Sequence, residues 1–100
     1  NVLINNAAIV HKTDFDTDPA IVEKAIHEIQ VNLIAPVELA KLFLPLIQQN
    51  PGAAIINITS GLVFVPRAVY PVYSATKAAL HSFTQVVRQQ MQGKPVRWVE

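Results

Sequence analysis

The sequence predicts an α/β fold, one half of a doubly wound parallel sheet with the element order β-α-β-α-β. Two observations predict it. Three short β-rich runs, largely apolar at consecutive positions, alternate with two long stretches of helical pattern, and polar residues gather just after the first two runs. Consecutive apolar positions suit parallel strands buried on both faces, because a half-exposed strand alternates. Helices between parallel strands make right-handed crossovers, and such sheets bind ligands beyond the C-terminal ends of their strands.

The first strand is Val2-Leu3-Ile4, ending in Asn5-Asn6. A helical stretch from about Pro19 to Gln49 follows. Asp18 suits its cap, Pro19 its first position, and Glu23 its positively polarised start. Pro36 and Pro45 should bend or interrupt it, since each lacks an amide and crowds the preceding turn. The second strand, Ala54 to Ile58, is bounded by Pro51-Gly52 and Ser60-Gly61. A helix from about Val72 to Gln92 should end at Gly93, and Val96 to Val99 supplies the third strand.

Between Leu33 and Ile47 the apolar residues run nearly all the way round the helix. A helix lying on a sheet needs only one apolar stripe, so the surplus face is expected to meet further chain or a second subunit. The expectation is a homodimer or homotetramer through the two long helices. The alternative is an unusually apolar surface helix on a monomer.

Composition removes several classes of function. Eight basic and seven acidic residues nearly cancel, and no basic cluster could neutralise phosphates, so no nucleic-acid partner is expected. With no cysteine there is no disulfide, thiolate metal site or cysteine nucleophile. His11, His27 and His81 are scattered without metal-ligand spacing, so no metal is expected. Uninterrupted apolar runs fall short of the ~20 residues that span a bilayer, and no charged-then-apolar leader opens the chain. A cytoplasmic protein without a membrane partner is the expectation. The chain begins and ends in strand-like segments, which suggests part of a larger domain.

The chemistry-bearing residues form one constellation. Tyr73 and Lys77 lie four apart at the start of the last helix, so both side chains leave one face. Ser60 follows the middle strand, and Asn5 and Asn6 follow its neighbour on the same edge. Asn32 is a polar residue within an apolar helical run. Each has an ordinary reading alone. Ser60 could be a turn or cap residue, the paired Asn a strand terminator, and Asn32 a satisfied buried amide beside Pro36.

Taken together, Asn5-Asn6-Ala7-Ala8, Asn32 in Val-Asn-Leu, Ile-Asn-Ile-Thr-Ser ending at Ser60, and Tyr73-Ser-Ala-Thr-Lys77 resemble the short-chain dehydrogenase/reductase family from first residue to last. Within it, Ser60-Gly-Leu-Val-Phe-Val-Pro and Lys77-Ala-Ala-Leu-His-Ser-Phe-Thr resemble a bacterial subgroup associated with D-alanyl teichoic acid operons. Ala8 stands where the family usually has Gly. The resemblance implies that residues 1–100 are the catalytic portion of one Rossmann-like, NAD(P)-binding domain. The Gly-rich turn and the substrate loop of that domain would lie outside these residues.

It further implies hydride transfer between NAD or NADP and a carbonyl or alcohol. Tyr73 would act as proton donor or acceptor, and Ser60 would hold and polarise the substrate oxygen. Lys77 would favour tyrosinate and bond the nicotinamide ribose. Asn32, through its backbone carbonyl, would hold a relay water, and Asn5, Asn6 and Ala7 would line the nucleotide cleft. A phenol of ordinary pKa near ~10 is a poor base at neutral pH; an ammonium about 4 Å away favours its anion by about 4 kcal/mol at an effective dielectric near 20. Leu62 to Val69 would line or pack the substrate side, with Arg67 meeting an anion or facing water. Two other readings share these residues: a binding scaffold that lost the chemistry, and a nucleotide-sugar epimerase or dehydratase.

Overall fold

A computed structural model describes all residues, 1–100. Strand β1 is Val2–Asn5, followed by helix α1, Ile21–Ile29. A π-helical turn, Gln30–Ile34, leads without a break into helix α2, Ala35–Ile47. Strand β2, Ala54–Asn57, a 3₁₀ turn at Gly61–Val63, helix α3, Pro71–Gln90, and strand β3, Arg97–Val99, complete the chain. The sheet is parallel throughout, in the order β1-β2-β3.

The sheet register decides where the core lies. Leu3 pairs with Ile55 and Ile55 with Trp98, so these three share a face. Ala40 and Ile47 of α2 pack there with Ala53 and Val96, joined by Leu44, Phe83, Val87 and Met91. Phe83 meets Trp98 edge to face with ring centres 6.2 Å apart. Strands in spatial order 1-2-3, joined by crossovers of one hand, place both helices on the same side. The opposite face is therefore uncovered, with Val2 50% and Ile4 57% exposed. The expectation of strands buried on both faces holds for one face only.

The long helix also departs from its predicted form. Asp18 Oδ1 accepts from the Ala20 amide at 2.9 Å, but this closes a turn, and the helix starts only at Ile21. Neither proline interrupts it. Pro36 sits at the start of α2, directly after the π turn, where the wider Ala35 N–H to Gln30 carbonyl bond has already broken the α ladder. Pro45 lies in the last turn. The continuous helix Ile21–Ile47 is long and apolar enough by length and composition to cross a membrane, although no single apolar run within it is. Its Glu28 and Asn32 are buried and hydrogen-bonded to the chain's own loop. Before β2 and β3 the chain turns at Gly52 and Gly93, both at positive φ, as glycine permits.

Candidate active site

The C-terminal ends of β1 and β2 deliver the polar residues. Asn5 and Asn57 end the two strands in register. Asn5 Nδ2 donates to Asn57 Oδ1 at 2.8 Å and to the Pro36 carbonyl at 3.3 Å. Asn57 Nδ2 in turn donates to Thr84 Oγ1 of α3 at 2.9 Å. Both asparagines are buried, so this chain of amides fixes the strand ends against both helices. The Asn5 amide nitrogen is spent inside the protein, and its Oδ1 is buried without a partner. Asn6 and Ala7 are exposed and border a small cavity of about 70 Å³ with Asn5, Val31 and Pro36.

Beyond β2, Ser60 has extended backbone, and its Oγ accepts from the Leu62 amide at 3.2 Å, capping the 3₁₀ turn. The capping role foreseen for such a serine is real, and the hydroxyl proton stays available for another acceptor. Pro71 at the first position of α3 places Tyr73 in its first turn. The Tyr73 ring is packed edge to face on Tyr70, with centres 6.3 Å apart.

Lys77, one turn on, is 3% exposed. Its Nζ donates to the Ile58 carbonyl at 2.9 Å and lies 5.8 Å from the centre of the Tyr73 ring. The ammonium therefore uses one of its three donors to anchor itself to the end of β2, a partner the sequence did not announce. Burial pushes its pKa below the ordinary lysine value, because the charged form loses solvent.

Asn32 sits in the π turn and is fully buried. Its Oδ1 accepts from the Ile9 amide at 2.8 Å, and its Nδ2 donates to the Ile9 carbonyl at 2.8 Å and to Thr76 Oγ1 at 3.2 Å. The satisfied-amide reading holds for the side chain. The backbone carbonyl is a separate matter: its α-helical partner would be residue 36, and proline has no N–H to give. One turn earlier, Glu28 accepts from the His11 amide at 2.7 Å, with His11 Nδ1 3.0 Å from the same oxygen. Together Glu28 and Asn32 hold residues 9 to 11 against the helix.

Ser60, Tyr73 and Lys77 thus share one end of the sheet, with Asn32 linked to that helix through Thr76. Sequence reasoning did not single out Asn57, Thr76, Thr84 or Glu28. The signal for Asn57 was present, an amide within Ile-Ile-Asn-Ile that a buried strand tolerates only with partners. Thr76 and Thr84 carried none, since threonine within a helix is ordinary.

The family model described as short chain dehydrogenase matches residues 1–100. The chain belongs to the short-chain dehydrogenase family. It is 49% identical to "Uncharacterized oxidoreductase DltE" of Bacillus subtilis (strain 168), over all of this chain and 40% of that protein. It is 31% identical to estradiol 17-beta-dehydrogenase 2 of Rattus norvegicus, over 89% of this chain and 23% of that one. Among solved structures, a short chain dehydrogenase from Burkholderia cenocepacia J2315 in complex with NADP superposes with a TM-score of 0.84 at 31% identity, covering 97% of this chain and 41% of that one. The bulky-bulky ketone specific alcohol dehydrogenase from Comamonas testosteroni superposes with a TM-score of 0.80 at 27% identity, covering 95% of this chain and 37% of that one. The chain spans about 40% of the length of the first of these relatives. As a short-chain dehydrogenase segment it holds the three-stranded portion that carries Ser60, Tyr73 and Lys77.

Proposed function

We propose that this short-chain dehydrogenase segment carries the reacting groups of a cytoplasmic NAD(P)-dependent oxidoreductase acting on a carbonyl or alcohol. The observation that carries the reading is the buried Lys77 ammonium, anchored on the Ile58 carbonyl and facing the Tyr73 ring. Burying a lysine is costly, and a purely structural site has no need of a charge there.

The residues present fit a nicotinamide nucleotide. Lys77 keeps two N–H donors for ribose hydroxyls, and Asn6 and Ala7 expose backbone and side chain at the strand end. When bound, the nicotinamide supplies or accepts the hydride. Ser60 Oγ–H donates to the substrate oxygen and polarises it. Tyr73 Oη gives that oxygen a proton in reduction and removes it in oxidation. Lys77 favours the tyrosinate form, and the Asn32 carbonyl holds a water through which Lys77 is reprotonated. NADP bound to a relative and the ketone specificity of another support the cofactor and substrate class.

We extend the reading to a homodimer or homotetramer paired through α2 and α3. Leu39, Leu42, Phe43 and Leu46 expose large apolar area along one helix, with Leu42 70% and Leu46 62% exposed. The same apolar surface explains the membrane-like hydropathy of Ile21–Ile47 without a membrane.

The deciding experiment is a titration of the full-length protein with NADH and NADPH by nicotinamide fluorescence, then turnover with acetophenone, cyclohexanone and ethyl acetoacetate. Micromolar binding and reduction of at least one ketone are expected, with Tyr73→Phe binding nucleotide but not turning over. Binding of neither nucleotide, or near-normal turnover in Tyr73→Phe, refutes the reading.

A further inference from the structure

Around Glu100, just past β3, lies a group of side chains that the reaction does not use. Its Oε2 is 2.6 Å from His81 Nδ1 on α3 and accepts from Thr59 Oγ1 at 3.2 Å. Arg88 Nη2 stands 4.0 Å from its Oε1, while Arg88 Nε donates to the Trp98 carbonyl at 2.9 Å. The Phe64 ring meets the His81 ring edge to face, with centres 5.5 Å apart. His81 lies one turn beyond Lys77 on the same helix.

The placement of these contacts is what matters. Thr59 immediately precedes Ser60, and Phe64 immediately follows the 3₁₀ turn that Ser60 caps. Both ends of the Ser60 segment are thus gripped, one through Glu100 and one through the His81 ring. The grip is on the helix that carries Tyr73 and Lys77. The loop itself has few other holds, since Phe64 is 76% and Val65 71% exposed.

We propose that His81 and Glu100 are positioning residues that set the distance between Ser60 and the Tyr73–Lys77 pair, with Thr59 as the link to Ser60. This rests on the oxidoreductase reading above. Without the clasp, the Lys77 bond to the Ile58 carbonyl still holds the end of β2, but residues 59–64 keep only their own turn and packing on α3, and the serine hydroxyl gains freedom relative to the tyrosine. Misplacement of about 1 Å costs up to about a hundredfold in turnover. Nucleotide binding depends on Asn6, Ala7 and Lys77, none of which bonds to Thr59, His81 or Glu100, and stays as it was.

The test compares His81→Asn with His81→Gln in the full-length protein. The asparagine amide nitrogen sits where Nδ1 does and keeps the bond to Glu100, whereas the glutamine nitrogen reaches past it. His81→Gln and Thr59→Val should lose about ten- to a hundredfold in kcat on the best ketone of the panel above, with the KM for NADPH unchanged. His81→Asn should recover most of that loss. Amide exchange in residues 59–61 should quicken about tenfold in His81→Gln but not in His81→Asn, while residues 63–65, which lose the ring contact in both, should quicken in both.

Equal kcat in His81→Gln and the parent overturns the proposal. So does an equal loss in both histidine variants, which would show that the bond to Glu100 does not set the position of Ser60. If the histidine variants do not fold, Thr59→Val decides, and unchanged kcat with unchanged exchange in residues 59–65 overturns the clasp. A parent that binds no nucleotide instead removes the oxidoreductase reading, and the catalytic purpose of the clasp goes with it.

Discussion

Replacing Lys77 with methionine separates the catalytic worth of the ammonium from its structural cost. The side chains are close in length, so the packing of a residue 3% exposed is largely kept. The lost charge lies 5.8 Å from the Tyr73 ring centre, close enough to act on the charge that develops on Tyr73 during proton transfer. Acid–base help of this kind is worth about a hundredfold or more in rate. Lys77→Met is therefore expected to lose at least about a hundredfold in kcat for alcohol oxidation, with weaker nucleotide binding besides. Stability moves the other way. The Ile58 carbonyl loses its donor, but Ile58 is 38% exposed and water can replace the bond, so the cost is at the low end of about 1–3 kcal/mol. Against it stands relief from burying an ammonium whose pKa that burial depresses.

The pH dependence gives the sign. A lysine with a lowered folded pKa binds fewer protons folded than unfolded between the two values, so the parent gains stability as pH rises towards 10.5. Urea denaturation from pH 7 to 10.5 should show that slope in the parent and a flatter one in Lys77→Met. Kinetic assays on the same samples should show the loss of turnover. A variant within tenfold of parental kcat would refute the electrostatic argument, as would a stability loss above about 4 kcal/mol, which would make Lys77 a structural residue.

Further perturbations probe separate elements. Asn32→Ala strands the Ile9 amide and carbonyl and should cost about 2–4 kcal/mol in urea unfolding, with faster proteolysis at residues 9 to 13. Ser60→Ala should lose about tenfold or more in kcat while nucleotide affinity holds, as fluorescence titration would show. Leu42→Glu with Leu46→Glu places charge on the exposed face of α2 and should shift light-scattering mass to that of a monomer without loss of helical signal. A Lys24 bond of 2.6 Å holds the Asp18 carboxyl below its ordinary range. Its contribution is present above the unfolded value of 3.8 and is lost as pH falls through the lower folded value. Asp18→Asn should abolish that acid sensitivity in exchange measurements over residues 18–24.

The β-α-β-α-β order was legible because each strand is a short, largely apolar run next to Gly, Pro or Asn, signals that act locally. The one-sided burial of the sheet was not, since Val2 and Ile4 read the same whichever face is covered. Helix continuity through Pro36 was illegible for a different reason. A proline's cost depends on whether the ladder already misses a bond there, and the π turn supplies that miss only in three dimensions. Of the site, Ser60, Tyr73 and Lys77 could be read because strand ends and helical spacing bring them together. Glu28 with His11 and Asn57 with Thr84 join residues 17 and 27 apart in sequence, and no local pattern announces such pairs.

Eight of the 17 buried residues are polar or charged, and this bears on how the site works. Asn5, Asn57, Asn32, Thr76, Lys77 and Thr84 are all buried among the strand ends, the π turn and α3. Replaced by aliphatic residues they would add apolar burial, so their presence costs stability that a purely structural layer would keep. What they supply is direction, because a hydrogen bond fixes orientation where an apolar contact does not. Asn5 and Asn57 set the strand ends, Thr84 sets α3 against them, and Lys77 reaches back to Ile58. The Asn57–Thr84 and Lys77–Ile58 bonds connect α3, which bears Tyr73 and Lys77, to the strand that leads to Ser60. The network therefore couples the position of Ser60 to that of Tyr73, and breaking any link should disturb turnover before it disturbs the fold.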